Sequence, residues 1–112
     1  MCKGIDTSGV RMSKKKIREI FRNSVFDRDG NKCRVCGNAK AKLDAHHITD
    51  RSEMPDGGYV LENGITLCGT DDGCHMKAEQ YHLGKEVEKG YMPNDLYKLI
   101  NSSYELAYQK SL

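Results

Sequence analysis

The sequence predicts a small α+β domain in which a two-stranded hairpin and a knuckle of four cysteines are flanked by helices. Three observations carry that expectation. Two short segments, 43–48 and 65–68, read as strands bounded by turn-forming residues. Apolar residues recur at helical spacing after Ser13 and again after Cys74. Four of the five cysteines come as two pairs, Cys33/Cys36 and Cys68/Cys74, the arrangement of metal ligands rather than of scattered bridges.

A chain of 112 residues makes one domain, and hydrophobic burial alone leaves a domain of that size only modestly stable. With 38% hydrophobic residues, no Trp and two Phe, it is suited to stabilisation by a metal staple. No apolar signal segment opens the chain and no run approaches transmembrane length, so a membrane protein is excluded and a reducing, cytoplasmic setting is expected. Cys2 stands apart and is expected to be an exposed thiol near a mobile terminus.

Residues 1–12 contain Gly4 and Gly9 and no periodicity, and are read as a flexible segment; residues 13–112 form the domain. Ser13 caps a helix running to about Asp27, with Ile17, Ile20, Phe21 and Val25 on one side and Lys and Arg on the other. Asp29-Gly30-Asn31 is turn chemistry that reverses the chain into Cys33-x-x-Cys36-Gly37, the form of a zinc knuckle. Leu43 to Ile48 reads as a strand, and Arg51 to Tyr59 as a polar loop. Asn63-Gly64 then turns into a second strand, Ile65 to Cys68, which can pair with the first as an antiparallel hairpin. After Cys74 a helix places His75, Glu79 and His82 on one face. Asn94 or Asp95 caps a last helix whose stripe of Leu96, Leu99, Ile100, Ser103 and Ala107 is expected to pack over the knuckle.

The net charge is +2, but it is unevenly spread. Residues 1–28 carry eight Lys/Arg against three acids, and residues 29–75 carry five against eight. A basic arm followed by an acidic, metal-rich centre suits a protein that holds a polyanion with one part and works on it through a cation with another. Lys14, Lys15, Lys16, Arg18 and Arg22 are the candidate phosphate contacts, and Arg51 is either another or one half of a surface salt bridge. From charge alone, a solvated basic helix face is an equal alternative.

Four thiols, Cys33, Cys36, Cys68 and Cys74, can close a tetrahedral zinc site. A redox pair would be expected to open a helix in a βαβ setting, which is absent around Cys33. Three histidines, His46, His47 and His75, are then free for a second metal and for proton transfer. Other roles stay open: His75 could replace a thiol on zinc, His82 could be a surface histidine, and Asn63-Gly64 could be only a turn.

Val25-Phe26-Asp27-Arg28-Asp29-Gly30 leading into Cys33-Arg34-Val35-Cys36-Gly37, then Leu43-Asp44-Ala45-His46-His47-Ile48, then Glu62-Asn63-Gly64-Ile65-Thr66-Leu67-Cys68, and finally Cys74-His75, resemble the HNH endonuclease family in its zinc-stapled form. The similarity covers about residues 17–82. It implies a ββα-metal module built from the hairpin and the following helix, and hydrolysis of DNA phosphodiester bonds to 5′-phosphate and 3′-hydroxyl ends.

Residue by residue, the resemblance makes His46 and His75 ligands of a catalytic Mg²⁺ or Mn²⁺, His47 the general base toward water, and Asn63 the residue that holds the hairpin loop or orients the base. Many relatives carry a His one turn after the position of His75; here that position is Glu79, preferred to His82 as the third ligand. Consecutive strand residues point to opposite faces, so facing both His46 and His47 toward the helix would need a local kink. One active site per chain cuts one strand at a time, so double-strand cleavage would need a transient homodimer or sequential nicks. The alternative from another class is a noncatalytic, zinc-bound DNA-binding module.

Overall fold

The computed structural model describes residues 12–112, so Cys2 and all but the end of the expected flexible segment lie outside the described residues. Ser13 starts the first helix, α1 (Lys14–Arg28), its Oγ accepting from the Lys16 N–H at 3.1 Å. The helix ends where Gly30 and Asn31 take up left-handed φ of 70° and 56°, and the Asn31 N–H returns to the Phe26 carbonyl at 2.9 Å. The reversal is thus the expected one, but Asp29 is no solvated turn residue. It is buried, takes both Arg28 Nε and Nη2 at 2.8 and 2.9 Å, and accepts the Thr66 N–H at 2.9 Å. Arg28 continues to the carbonyls of Leu61 and Gly64, so one Arg–Asp pair fastens α1 to the second strand.

The strands β1 (Leu43–His47) and β2 (Gly64–Cys68) pair antiparallel in continuous register, from Leu43 opposite Cys68 to His47 opposite Gly64. Every β2 residue is buried, because the ribbon is covered on both faces. On one face Phe21 stacks on His47, and the Thr66 hydroxyl lies 3.4 Å from the Val25 carbonyl, so α1 lies there. On the other, Asp44 and His46 meet side chains of α2 (Cys74–His82).

Gly64 corrects the reading of Asn63-Gly64 as a turn. Its φ is −120°, ordinary extended backbone, and a Cβ there would come within 2.5 Å of Val25 Cγ2 and 2.7 Å of Phe21 Cζ. Glycine is required by the closeness of α1, not by a bend. The hairpin connection is also more ordered than a polar loop. It winds through three short 3₁₀ turns, 51–53, 55–58 and 61–63, with Met54 buried beneath them.

The expected last helix is two, α3 (Pro93–Leu99) and α4 (Tyr104–Ser111), broken where Asn101 adopts φ 55° and Ser103 caps α4 by accepting the Leu106 N–H at 3.1 Å. Neither Asn94 nor Asp95 is the N-cap: Met92 holds that position ahead of Pro93, and Asp95, inside the first turn, reaches back to accept the Met92 N–H at 3.2 Å. α3 adjoins the knuckle, through the Arg34 guanidinium on the Leu99 carbonyl. α4 packs instead against the 3₁₀ turns, and the Ser102 hydroxyl just ahead of it donates to the Glu62 carbonyl. Leu96, Tyr97 and Ala107 join Ile48, Met54, Ile65 and Leu67 in one core with the buried cysteines. Among the described residues no helix is long and apolar enough to cross a membrane.

Candidate functional site

The four paired cysteines converge, with their sulfur atoms within 4.8 Å of one another and no disulfide between them. The 3.7 Å from Cys36 Sγ to Cys68 Sγ is close to the edge, about 3.8 Å, of a tetrahedron whose zinc–sulfur bonds are about 2.3 Å. Backbone amides are aimed at two of the sulfurs, Cys36 N–H toward Cys33 at 3.5 Å and Cys74 N–H toward Cys68 at 3.3 Å. Burial pushes the Cys33 thiol up, but such amide donors outweigh it and bring it down to about 7. Burial pushes Cys74 up to about 12, so a cation binding there must displace its proton at neutral pH. The cluster has the composition and spacing of a structural zinc site. Gly69 to Gly73 loop out between Cys68 and Cys74, with Asp72 at φ 58°.

Cys74 is also the first residue of α2, so the cysteine cluster fixes where that helix begins and how it is turned. His75 and Glu79 lie one turn apart on a half-buried side of α2 and face His46 of β1. His46 Nδ1 is 3.2 Å and His75 Nε2 is 3.7 Å from the same oxygen, Glu79 Oε2, and the three ligand atoms fall within 4.8 Å of one another. Two imidazoles and a carboxylate so placed can hold a divalent cation and leave further positions for water or substrate. His46 is 2% exposed, and burial holds its imidazole below the usual value, so it stays neutral as a ligand must. The His46 hydrogen bond holds Glu79 below the usual carboxylate range.

The structure therefore brings Glu79, not His82, into the group with His46 and His75, and keeps His75 out of the cysteine cluster. His82 lies beside the His46 ring, centroids 5.3 Å apart, and its Nε2 reaches the His47 carbonyl at 3.1 Å. Sequence reasoning missed Asp44, whose Oδ2 lies 2.9 Å from His75 Nδ1. The signal was there: Asp44 precedes His46 by two residues and so shares its strand face. A carboxylate on Nδ1 fixes the ring so that Nε2 points toward Glu79.

The kink that would turn both histidines toward the helix is absent, because β1 keeps a regular register through His47. His47 lies on the α1 face instead, stacked on Phe21 at a centroid distance of 4.5 Å and met edge-on by Tyr59 at 4.8 Å. Its Nε2 is buried and, among the described residues, has no hydrogen-bond partner. Burial, with the nearby His46 and Arg51 adding to it, pushes the imidazole down to about 4, so it is neutral at physiological pH.

Asn63 uses every donor and acceptor of its amide. Its Oδ1 takes the Thr49 N–H at 2.9 Å and the Tyr97 hydroxyl at 2.7 Å, while its Nδ2 donates to the carbonyls of Thr49 and Gly58 at 3.1 and 3.2 Å. It ties the end of β1, the 3₁₀ turns and α3 into one unit. Gly58 permits the approach, since a Cβ there would lie 2.7 Å from Asn63 Nδ2.

Lys14, Lys15, Lys16, Arg18 and Arg22 are all exposed along α1, with Lys16 paired to Glu19 at 3.2 Å. Lys14 and Arg18 stand seven and three residues before Phe21, so the helix face that stacks on His47 continues into basic side chains. Arg51 is exposed and donates to the Tyr59 hydroxyl at 3.1 Å.

Comparison of the chain with models of protein families, with characterised proteins and with solved structures found no match.

Proposed function

We propose that this chain is a divalent-metal-dependent DNA endonuclease or nicking endonuclease of the HNH kind, with β1, β2 and α2 as its ββα-metal module. The observation that carries the reading is the gathering of His46, His75 and Glu79 around one point, beside a separate and complete set of four cysteines. A zinc-stapled binding module needs the second group of residues but not the first.

In this reading His46 Nδ1, His75 Nε2 and Glu79 Oε2 hold the working cation, and Asp44 keeps His75 turned toward it. A bound Mg²⁺ or Mn²⁺ would offset the charge that develops on the scissile phosphate and on the leaving 3′ oxygen. His47 is the general base. It is neutral at physiological pH, so its imidazole has a lone pair with which to take a proton from the attacking water; because it stands on the α1 face with Nε2 buried, that water must reach the other ring nitrogen. Asn63 braces the turns that carry Tyr59 against His47. The basic residues of α1 and Arg51 grip phosphates on either side, and the products are 5′-phosphate and 3′-hydroxyl ends. With one such group per chain, a double-strand break requires a transient homodimer or a second nick.

The test is relaxation of supercoiled plasmid by the zinc-loaded chain in Mn²⁺ or Mg²⁺. Relaxed circles that DNA ligase can reseal are expected, with His47→Ala slower by at least about 10²-fold. Binding of plasmid without any cleavage in either metal would refute the enzyme and leave the noncatalytic zinc module.

A further inference from the structure

Among the described residues, Cys74 has a neighbour of a kind that the other three clustered cysteines lack. Its Sγ lies 3.2 Å from the hydroxyl of Tyr91, which comes from the 83–92 connection between α2 and α3 and is 6% exposed. Cys33 and Cys68 are approached by backbone amides, and Cys36 is exposed to solvent. Cys74 is buried at the head of α2, and there a phenol stands in the place of an amide. Among the described residues the Tyr91 hydroxyl makes no other hydrogen bond, although a buried phenol ordinarily finds a partner.

The direction of that bond follows from the chemistry. A thiolate that binds zinc has no proton to give, so the hydroxyl is the donor. Four thiolates on one Zn²⁺ leave an excess of two negative charges in a largely buried site, and donors to sulfur draw some of that charge off. Tyr91 is also held from outside: Lys77 of α2 lies over its ring, Nζ 5.6 Å from the centroid, and pairs with Glu88 of the connection at 3.3 Å. The connection is therefore tied to α2 at Glu88 as well as at the phenol.

We propose that Tyr91 is the outer hydrogen-bond donor of the zinc centre, its O–H holding the Cys74 thiolate, slowing zinc release and shielding that sulfur from electrophiles. The inference rests on the four cysteines alone and is independent of the nuclease reading.

Tyr91→Phe keeps the ring and removes only the hydroxyl. In the zinc-loaded full chain, transfer of zinc to an excess of a chromogenic chelator is expected to be about tenfold faster, the scale of one hydrogen bond to a charged group. Alkylation of Cys74 by iodoacetamide, followed by peptide mass mapping, is expected to accelerate in parallel. In the cobalt-substituted protein the thiolate-to-cobalt charge-transfer absorption should move to lower energy, because an unbonded thiolate is the better electron donor. A packing role for Tyr91 would leave that band in place. Unchanged zinc transfer, or an unchanged cobalt band, overturns the proposal. If Tyr91→Phe does not fold, the cadmium-loaded wild type decides by NMR: scalar coupling between the Tyr91 hydroxyl proton and the metal is expected, and absence of that coupling overturns the assignment.

Discussion

Asp29→Asn removes the charge at the point where α1 is fastened to β2. The Asp29 side chain is wholly buried; its two oxygens receive two hydrogen bonds from Arg28 and one from the Thr66 N–H, all of 2.8 to 2.9 Å. Asparagine keeps one acceptor and turns an N–H₂ toward the guanidinium, leaving Arg28 without a counter-ion. Breaking a fully buried pair in this way costs roughly 3–5 kcal/mol. The Arg28 side chain is 27% exposed, so water recovers part of that cost and about 2–4 kcal/mol is the expected loss.

For a domain near this size each kcal/mol moves Tm by about 4–8 °C, so melting of the zinc-loaded variant should fall by roughly 10–25 °C. The pH dependence has a definite sign. Burial pushes the Asp29 carboxyl up, but the hydrogen bonds from Arg28 and Thr66 outweigh it and hold the group below its ordinary value. A depressed carboxylate contributes stability that is complete above the unfolded value of about 3.9 and is lost only as pH falls through the lower, folded value. The gap between wild type and variant should therefore stay constant from about pH 8 to about pH 5. Thermal melts followed by circular dichroism across that range decide it. A variant melting within a few degrees of wild type, or a gap that closes above pH 5, would refute the clamp.

Three further outcomes follow from the same packing. Gly64→Ala places a methyl within 2.5 Å of Val25 Cγ2, and its overpacking should cost about 1–3 kcal/mol in denaturant unfolding; a neutral substitution would mean that α1 does not lie on the ribbon. Cys36→Ser should lose zinc and melt the domain, since structural zinc binding is coupled to folding, whereas His75→Ala should stay folded and zinc-loaded but inactive. Elemental analysis and circular dichroism separate the two, and equal zinc loss would move His75 into the cysteine site. Changing Lys14, Lys15 and Lys16 together to Ala should weaken duplex binding alike on unrelated sequences and flatten the salt slope by up to about 3 units. An unchanged slope would leave these lysines as a solvated face.

Local patterns carried the elements of the fold into the sequence. Ser13 and the spacing of Phe21 and Val25 foretell α1, short segments between turn-forming residues foretell β1 and β2, and the cysteine pairs foretell the cluster that the structure assembles. What the sequence conceals are contacts between distant segments. Asp29-Gly30-Asn31 reads as a turn, and nothing local says that the Asp29 carboxylate points inward to Thr66. Asn63-Gly64 has the composition of a hairpin turn, yet the glycine answers to Phe21 and Val25, some forty residues earlier in the chain. Tyr97 and Tyr91 give no sequence signal at all, because their hydroxyls meet Asn63 and Cys74 only after the C-terminal segment folds back. That His75, Glu79 and His82 share a face was legible from helical spacing, whereas His46 joined His75 and Glu79 only through the family resemblance. The place of His47, between Phe21 and Tyr59, was legible only in part: strand alternation separates it from His46 but names no neighbour.

The most direct test of the proposed site is a titration of the zinc-loaded chain with Mn²⁺, following metal binding and plasmid nicking in the same samples. Nicking should rise in proportion to one additional Mn²⁺ per chain, and His75→Ala should lose both that binding and the cleavage while retaining its zinc. Full occupancy by Mn²⁺ without nicking, or nicking that persists undiminished in His75→Ala, would contradict the assignment of His46, His75 and Glu79 as the working metal site.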